Sequence, residues 1–352
     1  MARFSTSFLR EADWLNGGRV RGYALLVGIA SLGLLIASWI QALGPDGSDF
    51  LAFWGSARAV LEGVPQAAYD LRWQEQVQTG AGFTGWFAFV NPPPFLFVTA
   101  PFGILPFALS WIVWVAVTYA VWAWVSVRAF PRLWTLAVIF PGALIIKPHL
   151  ALLVPFWLAA GGRWRAFLAA GASATGLLAL SWLVFGSETL LAYTGSWEAS
   201  AALMRAAEQD FLLRMATPYA QLRVHAGHAV ASGAALVLAL AMIVLVMRSW
   251  RHFGQDGMAT GAVMLAATAV ASPYLVNSDL PFLVLPILWL VREGLREGFR
   301  PWEKALLVAL WFAPYATRAA ALPLGLNLMP LAGAVLLWLL WSRAALPADK
   351  QK

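Results

Sequence analysis

The chain has 352 residues, of which 61% are hydrophobic and 12% charged, with a net charge of +7 and no cysteine. A soluble domain carries about 25% charged residues, so an ordinary soluble protein is excluded. The missing cysteines exclude disulfide frameworks, thiolate metal sites and cysteine nucleophiles. The positive charge does not by itself imply nucleic acid, because Arg and Lys of membrane proteins gather on cytoplasmic loops.

Apolar runs near or above ~18 residues, long enough to cross a hydrocarbon core of about 30 Å, recur along the chain. The first, Tyr23–Leu43, follows a stretch containing Arg3, Arg10, Arg19 and Arg21 and reads as a retained span at 22–43 rather than a cleaved signal. Residues 44–91 form a polar outer loop. The next stretch, 92–127, is broken by Pro101, Gly103 and Pro106, since a single helix of that length would reach about 54 Å. On charge grounds 92–104 is a half-helix that does not cross; two full crossings, with 133–160 as one kinked span, keep the same parity. Shorter apolar segments at 133–146 and 148–161 flank Lys147–Pro148. Further spans fall near 166–186, 226–247, 258–276, 280–292, 303–317 and 325–342, which makes about ten.

With both termini in the cytoplasm, all but seven of the 24 basic residues fall inside, the exceptions being Arg58, Arg72, Lys147, Arg205, Arg214, Arg223 and Arg318. That is the positive-inside bias expected of a multi-pass protein of a bacterial-type inner membrane. Two outer loops exceed mere turns. In 44–91, Phe50, Phe53, Trp54, Ala57 and Leu61 form a helical apolar stripe suited to the membrane interface. The loop 187–222 sets Trp197, Leu203, Met204, Phe211, Leu212 and Met215 among charges and reads the same way.

Asp49, in Gly47–Ser48–Asp49–Phe50, opens the first interfacial helix at the water–lipid boundary. Two readings suit it: a general base facing an amphiphilic substrate, or an acid complementing a helix dipole. Asp46, closer to a turn, is a weaker competitor. Lys147, in Lys147–Pro148–His149, sits between apolar segments, where an ammonium either serves a function such as holding a lipid phosphate or snorkels to the surface. His149 can donate to the same anion. Arg214 is a second candidate anion ligand of the outer loop, and it and its neighbours Arg205 and Arg223 suit contact with anionic lipid heads as well. His225 and His228 stand i, i+3, but no carboxylate completes a metal set, so no metal is expected. Asp279, with Pro281 behind it, and Asn91–Pro92–Pro93–Pro94–Phe95 begin membrane segments and suit capping and rigid helix starts as well as substrate binding. No Walker loop, glycine fingerprint, GxSxG elbow or HExxH is present, and no soluble domain could hold a nucleotide sugar.

Ser48–Asp49–Phe50 with Phe53–Trp54, then Tyr69–Asp70 and Asn91–Pro92–Pro93–Pro94–Phe95, resembles glycosyltransferase family 87 of the GT-C superfamily. Lys147–Pro148–His149–Leu150 with Gly162–Arg163–Trp164–Arg165, and Ser272–Pro273–Tyr274 with Asp279–Leu280, continue the resemblance in order from about 48 to 292. The chain departs from it at Asn91 and Ser278, where relatives usually carry Tyr, and lacks a Gly-Gln-Asn motif and about one helix pair before Lys147.

The resemblance implies an all-α GT-C fold, with 1–352 as one integral membrane domain. It also implies a metal-independent, inverting transfer of mannose or another sugar on the extracytoplasmic face. The donor would be a polyprenyl-phosphate sugar, and the acceptor a hydroxyl of a lipid-linked or cell-envelope glycan. No cofactor and no nucleic acid is involved. Asp49 would be the base, with Lys147, His149 and Arg214 on the donor phosphate and Tyr69, Asn91, Tyr274 and Asp279 as further substrate contacts. The rival readings are a transporter or flippase, against which no internal repeat is visible, and a GT-C fold that binds lipid without catalysis.

Overall fold

The computed structural model describes residues 6–130 and 148–343. In chain order its helices are α1 (Thr6–Glu11), α2 (Gly17–Ala42), α3 (Phe50–Leu61), α4 (Leu71–Gly80), α5 (Phe95–Thr99), α6 (Phe107–Ala129), α7 (Val154–Ala160), α8 (Trp164–Ala206), α9 (Gln209–Arg214), α10 (Pro218–His252), α11 (Gly257–Ala271), α12 (Val284–Glu297), α13 (Glu303–Leu324) and α14 (Met329–Arg343). No strand occurs among the described residues. Five of these helices, α2, α6, α8, α10 and α13, are long and apolar enough to cross a membrane, and α3, α11 and α14 are shorter apolar helices. The protein is therefore an all-α polytopic membrane protein. Along α2, Leu25, Leu26, Ile29, Leu32 and Ile36 are all about 60% exposed, a surface that only lipid can cover without cost.

Backbone breaks fall where proline and glycine demand them. The stretch 92–127 divides as the half-helix reading requires: α5 and the 3-10 turn Ala100–Ile104 end before Pro106, and α6 follows. Two long helices are interrupted by glycines with positive φ, Gly186 (φ 80°) in α8 and Gly227 (φ 81°) in α10, a conformation that L side chains resist. Gly186 thus ends the span expected at 166–186, and the following helix belongs to the loop expected at 187–222. The span expected at 258–276 stops earlier, at Ala271, ahead of Pro273.

The chain forms two compact units, α2, α6 and α8 each contributing residues to both. One comprises 29–120 and 168–207. Its centre is α3, whose Phe50, Phe53 and Ala57 are buried. Of the stripe expected to lie in the membrane interface, these three residues are therefore a packing face, while Trp54 is half-buried and Leu61 exposed. Phe50 meets Phe102, Phe107 and Trp114 with ring centroids about 6 Å apart, and Phe53 meets Phe89, Phe95 and Trp114. Gly103 allows this approach: a Cβ there would stand 2.9 Å from the Ala57 backbone. The loop's two ends are latched by Thr84, whose N–H donates to Pro45 O at 2.7 Å and whose hydroxyl reaches Asp46 Oδ1 at 3.2 Å.

The other unit comprises 1–28, 121–167 and 208–352. Its core forms around α11, whose small residues Ala259, Thr260, Ala262, Val263, Ala266, Ala267 and Ala269 are all buried. Such residues let helix backbones approach closely where lipid supplies no hydrophobic drive. At one end of α13 and α14 a charge network closes the unit. Arg343 and Glu303, both buried, are paired through Nε to Oε1 at 2.7 Å and through Nη2 to Oε2. Arg343 Nη2 also donates to Gly298 O at 2.9 Å.

Candidate functional site

The structure distributes the predicted site residues between the two units. In the first unit Asp49 precedes α3 with φ −50° and ψ −24°, and its side chain makes no capping hydrogen bond. Its carboxylate is exposed. The neighbours Phe50 and Leu51 are 5% and 0% exposed, so a rigid helix start carries it. The other aspartates of this loop are committed. Asp46 accepts from Thr84, and Asp70 caps α4 by accepting from the N–H groups of Arg72 at 2.8 Å and Trp73 at 3.4 Å.

Tyr69 and Asn91 are brought together. The Tyr69 hydroxyl donates to Asn91 O at 2.9 Å, and its ring packs on Phe89 and Tyr193 at about 5.5 Å. Burial, and after it the adjacent Tyr193, push the Tyr69 hydroxyl well above the ordinary tyrosine range, so it stays a neutral donor. This bond fixes the carbonyl just ahead of Pro92–Pro93–Pro94, where Phe95 N–H donates to Pro92 O and Leu96 N–H to Pro93 O. The segment before it hangs on two fully buried amides that sequence reasoning missed. Gln78 donates to Phe87 O and to Gln74 Oε1, accepts from Phe87 N–H, and Gln74 donates to Ala68 O, all at 2.7–2.8 Å. Two glutamines at i, i+4 on an otherwise amphipathic helix were the available signal.

In the second unit Arg214 ends α9 and is exposed, while Leu213 and Met215 on either side are buried. Its position is set by Asn327, 3% exposed, a residue the sequence reading passed over. Asn327 Nδ2 donates to Leu213 O at 2.9 Å and Met215 O at 3.0 Å. Its Oδ1 accepts from the Thr317 hydroxyl at 2.8 Å and Met329 N–H at 2.9 Å. An amide placed between Leu326 and Leu328 at the start of an apolar segment was the sign of such a role. The same strand of chain is tied to the late loop, with Ala216 N–H donating to Leu275 O at 2.8 Å. Arg214 and Tyr274 therefore lie on two segments that the fold joins.

Tyr274 is half-buried, and Ser272 donates to its carbonyl at 2.9 Å. Asp279 is 4% exposed, and its Oδ2 accepts from Val276 N–H at 3.0 Å, the bond expected of a residue shaping a helix start. His149 lies in the 3-10 turn Pro148–Ala151, and Lys147 lies outside the described residues. His225 and His228 do not share one continuous helix face, because Gly227 breaks α10 between them. Among the described residues no group of three or more His, Asp or Glu could hold a metal ion.

The profile of glycosyltransferase family 87 matches residues 131–273, in agreement with the resemblance read from the motifs. The matched stretch contains Lys147, His149 and Arg214; Asp49, Tyr69, Asn91, Tyr274 and Asp279 lie outside it. No curated protein and no solved structure matches the chain. The match indicates a glycosyltransferase, and the apolar helices place it in a membrane.

Proposed function

We propose, on the premise of a membrane glycosyltransferase of family 87, that the chain moves a sugar from a polyprenyl-phosphate donor to a hydroxyl of a lipid-linked or cell-envelope glycan on the extracytoplasmic face of a bacterial-type inner membrane. The observation that supports this best is the state of Asp49: an exposed carboxylate on a buried helix, without the capping bond that occupies Asp70. It takes the proton of the acceptor hydroxyl as that oxygen attacks the anomeric carbon. The bond from that carbon to the phosphate oxygen breaks, the configuration inverts, and polyprenyl phosphate leaves with the electron pair. A free carboxylate has pKa about 4, far below an alcohol, so proton transfer accompanies bond formation. Arg214, with Lys147 and His149, stabilises the charge that develops on the leaving phosphate. In this reading no metal takes part.

Purified protein in lipid, supplied with synthetic polyprenyl-phosphate mannose, glucose, galactose or arabinofuranose and a membrane glycolipid extract, tests the reading. One donor is expected to be consumed without nucleotide and at the same rate in the presence of EDTA. Asp49→Asn should slow transfer about 10²–10⁴-fold while leaving donor binding intact. Full turnover in Asp49→Asn removes Asp49 from the chemistry. A donor that binds in a Lys147- and Arg214-dependent way but is consumed by neither protein leaves a lipid-binding protein, and its appearance in the opposite leaflet a flippase.

A further inference from the structure

After the break at Gly186, α8 carries an aromatic face that the mechanism above does not use. Tyr193 and Trp197 stand i, i+4 on one side of the helix, with ring centroids 5.4 Å apart at 86°. Tyr193 also packs on Tyr69 at 5.5 Å, and Tyr69 on Phe89 at 5.4 Å. Phe89 in turn meets Phe53, one turn after Asp49. A row of rings thus leads from the buried face of α3 out to the surface. Exposure rises along it from 2% at Phe89 and 7% at Tyr69 to 57% at Trp197. The whole row lies in the same compact unit as Asp49.

The polar tips of these rings differ in what they hold. The Tyr69 hydroxyl is committed to Asn91 O. The hydroxyls of Thr194 and Ser196 donate back into the helix, to Leu191 O and Tyr193 O. Neither the Tyr193 hydroxyl nor the Trp197 indole N–H has a hydrogen-bond partner among the described residues. The outer two rings therefore offer a ligand a flat face and open polar edges together. Ahead of Gly186 the exposed Trp182, Leu183 and Val184 form a band suited to lipid tails. Trp197 instead has Thr194, Gly195 and Glu198 exposed beside it, a polar setting that suits a wet ligand better than an acyl chain. A pyranose ring has both features that match. Its C–H bonds carry partial positive charge and lie well against the electron-rich face of an indole, and its hydroxyls can accept from the indole N–H and bond with the phenol.

We propose that Tyr193 and Trp197 bind a pyranose ring; that this ring belongs to the acceptor glycan rests on the function proposed above, which sets Asp49 at the acceptor hydroxyl. The test measures saturation transfer by NMR from the full chain in phosphatidylcholine nanodiscs to the methyl pyranosides of mannose, glucose and galactose. Glycerol serves as a polyol without a ring face, and melting curves check the folding of each variant. At least one pyranoside should take up saturation at its ring C–H protons. Trp197→Leu should bind it about tenfold more weakly, the scale of one aromatic contact. Trp197→Phe, as apolar as leucine but flat, should bind within about threefold of the parent. Tyr193→Phe should lose about three- to tenfold, the scale of one hydrogen bond. Trp182→Leu, which removes an exposed indole from the apolar part of α8, should bind as the parent does. Contact no greater than with glycerol, or equal losses in Trp197→Leu and Trp197→Phe, overturns the proposal. So does a Trp197→Leu chain that melts lower yet keeps the contact, since the indole is then a membrane anchor. Sugar transfer to the glycolipid extract is assayed in parallel, where Trp197→Leu should raise the apparent acceptor KM about tenfold with kcat within about threefold. The binding pattern without any transfer sinks the transferase reading alone, and transfer with an acceptor KM unchanged in Trp197→Leu sinks this inference alone.

Discussion

Asn327 should hold Arg214 in place, and its loss should be felt both in stability and at that arginine. Asn327→Leu keeps roughly the volume and removes every side-chain hydrogen bond. Leu213 O and Met215 O, which now accept at 2.9 and 3.0 Å, lose their donor. Met329 N–H, at the start of α14, loses the acceptor that caps it at 2.9 Å. A stranded buried polar group costs about 1–3 kcal/mol, and a lost helix cap about 1 kcal/mol. Two carbonyls and one cap therefore sum to about 3–7 kcal/mol, while the bond from Asn327 N–H to Gln221 Oε1 survives. Asn327→Asp is the sharper variant: it retains the acceptor toward Thr317 and Met329 but turns a second oxygen toward two carbonyl oxygens. It should lose as much as Asn327→Leu although its shape is unchanged. Unfolding followed by tryptophan fluorescence in mixed micelles reads the stability, and the rate of trypsin cleavage after Arg214 reads the local release. If both variants unfold within about 1 kcal/mol of the parent and Arg214 is cut no faster, the amide does not carry this junction.

The buried pair between Glu303 and Arg343 gives a second expectation. Glu303→Gln leaves a guanidinium with a side chain only 3% exposed short of its partner and should cost about 3–5 kcal/mol, whereas Glu303→Met with Arg343→Met should recover most of it, both by the same micelle titration. Tyr69→Phe removes one buried hydrogen bond and should cost about 1–2 kcal/mol; sugar transfer should fall less than tenfold, and a fall as deep as that of Asp49→Asn would make the hydroxyl part of the chemistry. Gly103→Ala drives a methyl against the Ala57 backbone and should destabilise by about 1–3 kcal/mol, visible as a lower melting temperature, with Gly82→Ala, where a Cβ meets open space but φ is positive, as the comparison for strain without a clash.

What could be read without coordinates was whatever depends on local pattern. Long apolar runs produce α2, α6, α8, α10 and α13, and Pro106 places the break between the half-helix and α6 where a 54 Å helix had to end. Breaks that rest on one glycine were legible as span ends rather than as kinks within longer helices. Gly186 and Gly227 do fall at the ends of the spans expected at 166–186 and 226–247, but that helix runs up to each on both sides was not read. The stripe on α3 was recognised, but a stripe says only that one side is apolar. Whether that side meets lipid or Trp114, some sixty residues later, is a long-range fact, and so is the pairing of Asn327 with Leu213 and Met215, more than a hundred residues earlier.

The candidate site follows the same division. Position in the chain nominated Asp49, Asn91, Arg214 and Asp279, and the family resemblance added Tyr69 and Tyr274; commitments made in the fold separate them. The Tyr69 hydroxyl donates to Asn91 O and one carboxylate oxygen of Asp279 accepts from Val276 N–H, and so both shape the segments that hold others. Asp49 and Arg214 share a different arrangement. Each is an exposed charge with buried chain neighbours, Phe50 and Leu51 for the one, Leu213 and Met215 for the other. The backbone is fixed by packing and by Asn327, and the charge itself is left for a ligand. A group held this way loses little entropy when a substrate arrives and can act on charge that develops during reaction. In the function proposed above, the carboxylate is the group for an acceptor hydroxyl and the guanidinium one for a phosphate.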